Sequence, residues 1–428
     1  MNTQEQLEVF SADVTAARGF LAGGGTCGLK ASGRKDVGGV LSQEPAVGAG
    51  TFTTNKLKAA PVLVCQEVLA RSRHHVRGIV FNSGNANAAT GEQGLQNARR
   101  MQALFAEGPG APFGIRAEQV FVASTGVIGI QLPMDRLEAG IRALELTAHG
   151  GPSAVEAMMT TDTVPKTAAA RFWLADRPAA LGREGAGDAT AVPITVAGMA
   201  KGAAMIAPHM ATMLAFIGTD AAVTPDYLQQ ALARAVAESF NMVVIDGDMS
   251  TNDTALLLAN GAAWPAGRPA LDGTQPECAL FEAAVASVCR RLAQAMARDG
   301  EGATKFVEVR VEGAASDEDA RRVARAIAGS NLTKAAVLGA DPNWGRIACA
   351  AGYAGAEFDP ARSDITIGRV LEVRAGLATD YDPAAASAEM RGKEVRLSVH
   401  LHLGNGAATA WGCDLTPEYV RLNSEYTT

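Results

Sequence analysis

Three segments in the second half of the 428-residue chain alternate apolar and polar side chains, as strands with one exposed face do. They are Phe306 to Val311, Asp364 to Val373 and Glu394 to Leu403. Amphipathic helices are predicted among them, from Ala279 to Arg298 and from Asp317 to Ala328. Strands of this kind indicate an α+β fold, with mixed or antiparallel sheets covered by outer helices, and not a parallel doubly wound sheet.

The rest of the chain yields shorter predicted elements, separated by glycine-rich turns. A surface loop is expected where apolar periodicity is lost, from Asp176 to Pro193. Strands are predicted at Pro61 to Cys65, Gly78 to Phe81, Val120 to Ala123 and Met242 to Ile245, and helices at Glu92 to Phe105, from Pro133 to about Leu146, and after Thr224.

The composition limits the classes of function. The 45 acidic and 38 basic side chains give a net charge of -7, which argues against nucleic acid or an anionic membrane as a partner. The six cysteines form no CxxC pair and are expected to be reduced core residues. No secretory signal and no apolar run of about 20 residues is present, so a cytoplasmic protein is expected.

Three motifs suggest ligands, but each has a more ordinary interpretation. GGGTCGLK from Gly23 has the wrong spacing for a phosphate-binding loop and predicts a glycine turn. His400 and His402 share one face of a predicted strand but lack further metal-ligand partners. The acidic segment DGDMSTND from Asp246 lacks the ligand pattern of a calcium loop and is predicted to be structural. We therefore expect no metal and no cofactor.

The stretch KGAAMIAPHMATMLAFIGTD, from Lys201 to Asp220, places a lysine and a threonine in an apolar run. A core threonine is the simpler interpretation of Thr212. The alternative is catalytic, because a threonine hydroxyl is a weak nucleophile that becomes effective beside a base. Cleavage between Ala211 and Thr212 would supply that base as a new α-amine, whose ordinary pKa is about 8.

Acyl transfer also requires donors directed at the developing oxyanion. Ser124-Thr125-Gly126 follows a predicted strand and could provide a hydroxyl and a backbone N–H. The signal in these three residues alone is weak.

Nine sequence blocks together resemble the ornithine acetyltransferases, arginine-biosynthesis enzymes also called glutamate N-acetyltransferases. The resemblance extends over most of the chain. The blocks are AKGAAMIAPHMATML from Ala200, GTFTTNKLKAAPVLV from Gly50, FNSGNANAATGEQG from Phe81, ASTGVIG from Ala123, MTTDTVPK from Met159, STNDT from Ser250, EGATK from Glu301, GADPNWGRI from Gly339 and NSEYTT from Asn423.

This resemblance implies a four-layer α/β/β/α sandwich, shared with certain aminopeptidases. It implies a precursor that cuts itself into an α chain, residues 1 to 211, and a β chain, residues 212 to 428, which remain together as an α2β2 assembly. Thr212 is expected to take the acetyl group of N2-acetylornithine and pass it to glutamate in a ping-pong cycle. Acetyl-CoA is a further donor in some members of the family.

The resemblance also assigns site residues. Thr125 and Gly126 match the oxyanion pair, and Ala211 and Thr212 match the cleavage site. An ammonium such as Lys201 suits the α-carboxylate of both substrates, and a carboxylate such as Glu301 suits a cationic amine. The positions that match substrate contacts are Thr160, Lys201, Thr212, Glu301, Asn423 and Thr428.

Two positions beside the predicted cut depart from the family pattern. Ala204 stands where glycine is usual, and His209 where Asn or Ser is common. Two other classes of function remain open at this point. One is an amidase or aminopeptidase that uses the same threonine with water as the acceptor, and the other is an uncut binding protein.

Overall fold

The computed structural model describes residues 6–174, 191–206 and 213–425. The predicted surface loop from Asp176 to Pro193 lies almost wholly outside these residues. The strands are β1 (Glu8–Phe10), β2 (Phe20–Gly25), β3 (Val37–Phe52), β4 (Val76–Asn85), β5 (Val120–Val127), β6 (Lys166–Leu174), β7 (Val192–Lys201), β8 (Leu214–Thr219), β9 (Val243–Val244), β10 (Thr254–Ala259), β11 (Phe306–Ala314), β12 (Asp364–Ile367), β13 (Val370–Arg374), β14 (Leu377–Ala378), β15 (Glu394–His400) and β16 (Gly406–Cys413).

The helices cover the sheets and carry most of the long connections. They are α1 (Ala60–Ser72), α2 (Gly91–Glu107), α3 (Met134–Arg142), α4 (Gly151–Met158), α5 (Pro225–Ala237), α6 (Cys278–Arg298), α7 (Asp317–Gly329), α8 (Asn331–Gly339), α9 (Trp344–Gly352), α10 (Pro383–Met390) and α11 (Pro417–Glu425). No helix in the described ranges is both long and apolar enough to cross a membrane.

The larger sheet runs in the order β1-β6-β7-β8-β10-β3-β4-β5, and β2 also pairs with β3. Most neighbours are antiparallel, but β8 runs parallel to β10 and β4 runs parallel to β5. The long strand β3 joins the two ends of this sheet, because it pairs with β10 over one half and with β2 and β4 over the other. The strand β8 therefore lies in the interior of the sheet.

The smaller sheet runs in the order β14-β13-β12-β15-β11-β16-β9 and is also mixed. Helix α6 packs against β6 and β7 of the larger sheet and against β16 of the smaller one. Residues of both sheets consequently share one hydrophobic core, and a second core lies between the strands β2 to β5 and the helices α1 to α4. The predicted α+β class with mixed sheets and packed helices is confirmed.

Most elements predicted from periodicity are present. Helix α7 begins as expected, since the Ser316 hydroxyl accepts a hydrogen bond from the N–H of Asp319 and the first turn is acidic. Predicted segments that lie in elements of the expected type include Gly78 to Phe81 in β4, Glu92 to Phe105 in α2, Val120 to Ala123 in β5, Ala279 to Arg298 in α6 and Phe306 to Val311 in β11.

The strand predicted from Pro61 to Cys65 is wrong, because these residues form the start of α1. Pro61 occupies the first helical turn, where its missing N–H leaves no hydrogen bond unmade. Val64, Cys65 and Val68 are buried at helical spacing. Short apolar runs are ambiguous between strand and helix, and here the continuation of the run to Ser72 decides the outcome.

Two long predicted strands are divided or shortened. Asp364 to Val373 forms two strands, β12 and β13, joined around Gly368, whose φ is 58°. Glu394 to Leu403 stops at His400, because His402 adopts a left-handed backbone with φ of 54°. The helix predicted from Pro133 ends at Arg142, and the strand Met242 to Ile245 is reduced to β9.

The glycines from Gly23 to Gly25 lie in strand β2, which corrects the predicted turn. A Cβ atom on Gly24 would lie 2.1 Å from the carbonyl oxygen of Ser153 in α4. Glycine is therefore required by the close approach of a helix to the strand and not by a reversal of the chain.

Glu372 on β13 is wholly buried, and neither of its carboxylate oxygens has a hydrogen-bond partner within the described part of the chain. Burial, and to a smaller extent the charge of Asp341, raises the pKa of Glu372 from 4.5 to about 7. The native state therefore binds this proton more tightly than the unfolded chain does.

We predict that Glu372→Gln weakens the dependence of stability on pH. A carboxyl with a raised native pKa gives its full stability below pH 4.5 and loses it as the pH rises through about 7. The loss is on the order of 3 kcal/mol. Denaturant unfolding between pH 4.5 and 7 measures this loss of unfolding free energy. The control is Glu357→Gln, because Glu357 is exposed. An unchanged pH dependence in Glu372→Gln would contradict the assignment.

Candidate active site

The site predicted around the threonine lies at the beginning of β8, in the interior of the larger sheet. Leu214 pairs with Lys201 at the end of β7 and with Thr254 at the start of β10. All six residues of β8 are buried, which explains its apolar composition. Ala211 and Thr212 lie outside the described residues, and Met213 is the first residue of this segment that the structure describes.

Lys201 and Thr125 meet beside this strand, although they are far apart in the sequence. The ammonium nitrogen of Lys201 lies 3.4 Å from the hydroxyl oxygen of Thr125, and both side chains are buried. A buried ammonium carries three N–H groups and requires anionic or carbonyl partners. The two residues predicted separately, one as a substrate contact and one as an oxyanion donor, therefore share one buried space.

Gly126 follows Thr125 at the end of β5, where β5 runs beside β4. Its φ is 131°, and a Cβ atom there would lie 2.4 Å from the backbone carbon of Gly84 and 2.5 Å from the nitrogen of Asn85. Only glycine fits this position. The strict requirement is compatible with a backbone N–H that must be held in one orientation.

Asp162 is a buried carboxylate that joins two predicted substrate contacts. One oxygen, Oδ2, accepts the N–H of Thr160 at 3.0 Å. The other, Oδ1, accepts the N–H of Gly202 at 2.7 Å, directly after Lys201. It also accepts a hydrogen bond from the Lys166 ammonium at 2.6 Å. Thr160 and Lys201 are thus tied to the same side chain.

The charges of this group are strongly coupled. Burial alone would raise the pKa of Asp162, but the positive charges of Lys201 and Lys166 outweigh it and hold that pKa at about 2. Burial lowers the pKa of Lys201, and the negative charge of Asp162 is the largest influence in the opposite direction. The ionised carboxylate and the ammonium therefore support each other.

Asp299 extends the same cluster to the end of α6. Its Oδ2 accepts a hydrogen bond from Lys166 at 2.5 Å and one from the N–H of Thr163 at 3.0 Å. Asp299 lies two positions before Glu301, whose N–H donates to the carbonyl of Ala203 at 2.8 Å. The backbone at Glu301 is therefore fixed to the segment that follows Lys201.

Glu301 and Asn423 are also brought together. The side-chain amide of Asn423 in α11 donates to Glu301 Oε2 at 2.9 Å. Thr428, the remaining predicted contact, lies outside the described residues. The structure therefore brings the described site residues together. Lys201 contacts Thr125, the chain neighbour of Gly126, and Asp162 links Thr160 to the residue after Lys201. Glu301 bonds to Ala203, close to Lys201 in the chain, and to Asn423.

Asp253 is a buried acid that holds the residue after the predicted nucleophile. Its Oδ1 accepts the N–H of Met213 at 2.9 Å, and its Oδ2 has no hydrogen-bond partner among the residues described. Burial raises the pKa of Asp253 well above its usual range, although the Met213 N–H and the charge of Lys201 act against this. Asp253 fixes the position at which β8 begins.

No role in the site was predicted for Asp162, Lys166, Asp253 or Asp299, although Asp253 ends the acidic segment that was predicted to be structural. Asp162 and Lys166 lie in the block MTTDTVPK, and Asp253 lies in STNDT, so the blocks contained them. The available signal was the presence of ionisable residues in two blocks rich in threonine and other small polar side chains, a composition that turns also have. Periodicity could not show that these charges are buried and paired.

The motifs given ordinary interpretations also have structural partners. The Asp246 carboxylate accepts the N–H groups of Met205 at 2.5 Å, Ile206 at 2.8 Å and Asp248 at 3.1 Å, which agrees with a structural acidic loop. His402 lies 3.0 Å from an oxygen of Asp364, and its ring packs on that of His400. Within the described ranges, no group of three or more potential ligands is arranged to hold a metal ion.

Comparison with known proteins identifies relatives along the whole chain. Residues 21–428 match the model of the ArgJ family. The arginine biosynthesis bifunctional protein ArgJ of Symbiobacterium thermophilum is 49% identical over 99% of this chain and 100% of its own. The protein of the same name from Gloeobacter violaceus is 44% identical over 97% of this chain and 98% of its own.

Solved structures include further relatives. An argJ crystal structure from Bacillus halodurans is 45% identical, with a TM-score of 0.47, and covers 49% of this chain and 98% of its own. Ornithine acetyltransferase from Mycobacterium tuberculosis, complexed with ornithine, is 37% identical, with a TM-score of 0.40, and covers 47% and 98%. The extent of these sequence matches defines the class as bifunctional arginine-biosynthesis proteins. The chain belongs to the ArgJ family.

We predict that Gly126→Ala is far more destabilising than Gly129→Ala. Both glycines have positive φ, but a Cβ at Gly129 has no neighbour within 4 Å, whereas one at Gly126 overlaps the β4 backbone. Gly129→Ala should cost about 1 kcal/mol of conformational strain, and Gly126→Ala about 3 kcal/mol or more. Thermal and denaturant unfolding measure both. Equal costs would show that the backbone at Gly126 moves freely.

Proposed function

We propose that this protein transfers the acetyl group of N2-acetyl-L-ornithine to L-glutamate, giving ornithine and N-acetylglutamate in arginine biosynthesis. The observation that carries the proposal is the buried contact between Lys201 and Thr125 beside the start of β8. Membership of the ArgJ family supports it, as does the ornithine bound to the Mycobacterium tuberculosis relative. Acetyl-CoA is proposed as a second acetyl donor.

The proposed nucleophile is the hydroxyl of Thr212, exposed as a chain terminus by cleavage of the Ala211–Thr212 bond. Its own α-amine takes the hydroxyl proton as the oxygen bonds to the acetyl carbon. The carbon–nitrogen bond to ornithine then breaks, and the proton passes to the departing amine. The amine of glutamate attacks the acetyl-threonine ester in the second half of the cycle and restores the hydroxyl.

Thr125 and Gly126 are proposed to stabilise the oxyanion that forms on the acetyl oxygen. The Gly126 backbone is fixed by the absence of room for any side chain, and Thr125 lies in the same buried space. Donors that are already oriented need not reorganise as the charge develops. One such donor typically lowers the activation barrier by about 3 kcal/mol.

Lys201 is proposed to bind the α-carboxylate that ornithine and glutamate share. Its ammonium donates to Thr125, and further N–H groups remain for an incoming carboxylate. Thr160, Glu301, Asn423 and Thr428 are proposed as the other substrate contacts, with Glu301 directed at the cationic side chain of ornithine. The α and β chains are proposed to form a cytoplasmic α2β2 assembly that requires no metal or cofactor.

Intact-mass analysis tests the nucleophile. After brief exposure to N2-acetylornithine, we expect two fragments divided at residue 212, with one acetyl group on the fragment that begins with Thr212. Thr212→Ala should remain a single, unacetylated chain. The secondary structure of Thr212→Ala should match that of the wild type, which far-UV circular dichroism checks. An acetyl group on any other residue would overturn the assignment.

Omission of glutamate separates transfer from hydrolysis. A transferase should release about one equivalent of ornithine per site and then stop, because the acetyl-threonine ester has no acceptor. The alternative amidase or aminopeptidase would continue to release ornithine with water as the acceptor. Continuous turnover at the same rate with and without glutamate would therefore favour the alternative.

We predict that Lys201→Met raises KM for both substrates by about 10- to 100-fold, because a charged hydrogen bond to the carboxylate is lost. Initial rates over a range of each substrate measure the effect. Lys334→Met is a matched control, since Lys334 is also buried but donates to the carbonyl of Cys413. A Lys201→Met variant with a much lower kcat but an unchanged KM would argue against carboxylate binding.

A further inference from the structure

The buried cluster around Asp162 contains two ammonium groups and two carboxylates in close succession. Asp162 bonds to Lys166, and Lys166 bonds in turn to Asp299. The side chains of Asp162 and Lys166 are fully buried, and that of Asp299 is 6% exposed. The ammonium of Lys201, also buried, is the second cation of this cluster. Water screens none of these charges effectively, so each depends on the others.

Asp162 is the member of this cluster that acts on the proposed substrate contacts directly. Its hydrogen bonds to the N–H groups of Thr160 and Gly202 fix the backbone at one contact and immediately after another. Asp299 accepts hydrogen bonds from Lys166 and from Thr163 instead. The two aspartates therefore share Lys166, but only Asp162 reaches the chain next to Lys201.

Of these two aspartates, Asp162 also has the stronger electrostatic influence on Lys201. Burial disfavours the charged form of Lys201, and Asp162 is the strongest opposing influence. Burial and Arg34 also lower the pKa of Lys30 to about 8, and Lys201 contributes to that decrease. The charged groups that act on or with Lys201 are Asp162 in the segment before β6, Lys166 at the start of β6, Asp253 before β10, Glu301 after α6, and Lys30 in the segment between β2 and β3.

We propose that Asp162 is a positioning residue: its hydrogen bonds to the N–H groups of Thr160 and Gly202 fix the backbone at Thr160 and next to Lys201, so that Lys201 and Thr160 together receive the α-carboxylate of the amino-acid substrate. The inference rests on the proposed function, because it assigns the carboxylate to Lys201. Substrate affinity then depends on a buried residue that does not touch the substrate. Because the charge of Asp162 also acts on Lys201, substrate affinity depends on pH as well.

The sign of this dependence follows from the charges. Lys201 binds a carboxylate while it is protonated, so KM rises as the pH increases through the pKa of Lys201. Removal of the negative charge of Asp162 lowers that pKa further, because burial and Lys166 then act with less opposition. In Asp162→Asn, the rise in KM must therefore begin at a lower pH than in the wild type.

The test measures kcat and KM for N2-acetylornithine from about pH 6 to about pH 10, a span that covers ordinary and lowered lysine pKa values. We expect the rise in KM to move by about one pH unit or more in Asp162→Asn. KM then differs about tenfold at intermediate pH and converges at the acidic end. Lys30, whose pKa is also lowered, is unchanged in every variant, so its titration does not account for a shift of the KM curve between variants.

Asp299→Asn is the matched control, because it removes the other carboxylate bonded to Lys166 by the same isosteric change. Asp299 is not among the strongest charges that act on Lys201, so Asp299→Asn should be destabilised but should displace the KM curve less than Asp162→Asn does. In a Lys201→Met background, Asp162→Asn should produce no further pH-dependent change in KM. Equal displacement in Asp299→Asn would reduce Asp162 to a structural residue and overturn the proposal.

A variant that fails to fold does not leave the proposal open. Asp162→Glu retains the charge, and its KM curve should rise at the same pH as that of the wild type, whatever its absolute KM. A displaced curve in Asp162→Glu overturns the inference, and so does a wild-type curve in Asp162→Asn.

The two proposals can fail separately. Absence of an acetyl group on the Thr212 fragment of the wild type overturns the proposed function. Normal acetylation of the wild type, combined with coincident KM curves in wild type and Asp162→Asn, overturns only the role of Asp162.

Discussion

The two ion pairs of Lys166 hold the candidate site together. Its ammonium lies between Asp162, in the segment before β6, and Asp299, at the end of α6, and all three side chains are removed from water. Loss of one partner from a buried ion pair typically costs about 3 to 5 kcal/mol, because the other charge is left without compensation. The segment around residue 160, the end of β7 and the chain after α6 are consequently fixed relative to one another.

In this arrangement, the charge that compensates the buried Lys201 ammonium comes from the protein and not from the substrate. Lys201 is buried, and the negative charge of Asp162 is the strongest influence that favours its protonated form. The site is thus organised before any ligand arrives, with Thr125 already beside the ammonium and Gly126 confined by β4. A preorganised polar site loses little free energy to reorientation when charge develops in it.

Local sequence patterns were sufficient to predict the α+β fold class and several individual elements. Alternation in FVEVRV and the cap at Ser316 predicted β11 and α7, because local chemistry determines those elements. Pro61 to Cys65 was misassigned, since burial on one helix face becomes visible only when the following turns are included.

The organising acids could not be inferred in the same way. Asp162 and Asp299 act through partners that the fold brings from distant parts of the chain, and no spacing in the sequence reveals such a pairing. Asp253 lies in a segment rich in turn-forming residues, and only its burial beside Met213 distinguishes it from a turn residue. Pairs of charged residues that are distant in the sequence can therefore be recognised only in the three-dimensional structure.

The interior position of β8 determines how the proposed cleavage would affect refolding of the protein. On one side β8 pairs with β7, which belongs to residues 1 to 211, and on the other with β10, which pairs in turn with β3 of that same part. The proposed cut before Thr212 would leave each fragment with strand edges that are paired with the other fragment in the intact sheet. Refolding would then require two chains to meet, and its yield would depend on their concentration. The continuous precursor, in contrast, would form the same sheet in a concentration-independent reaction.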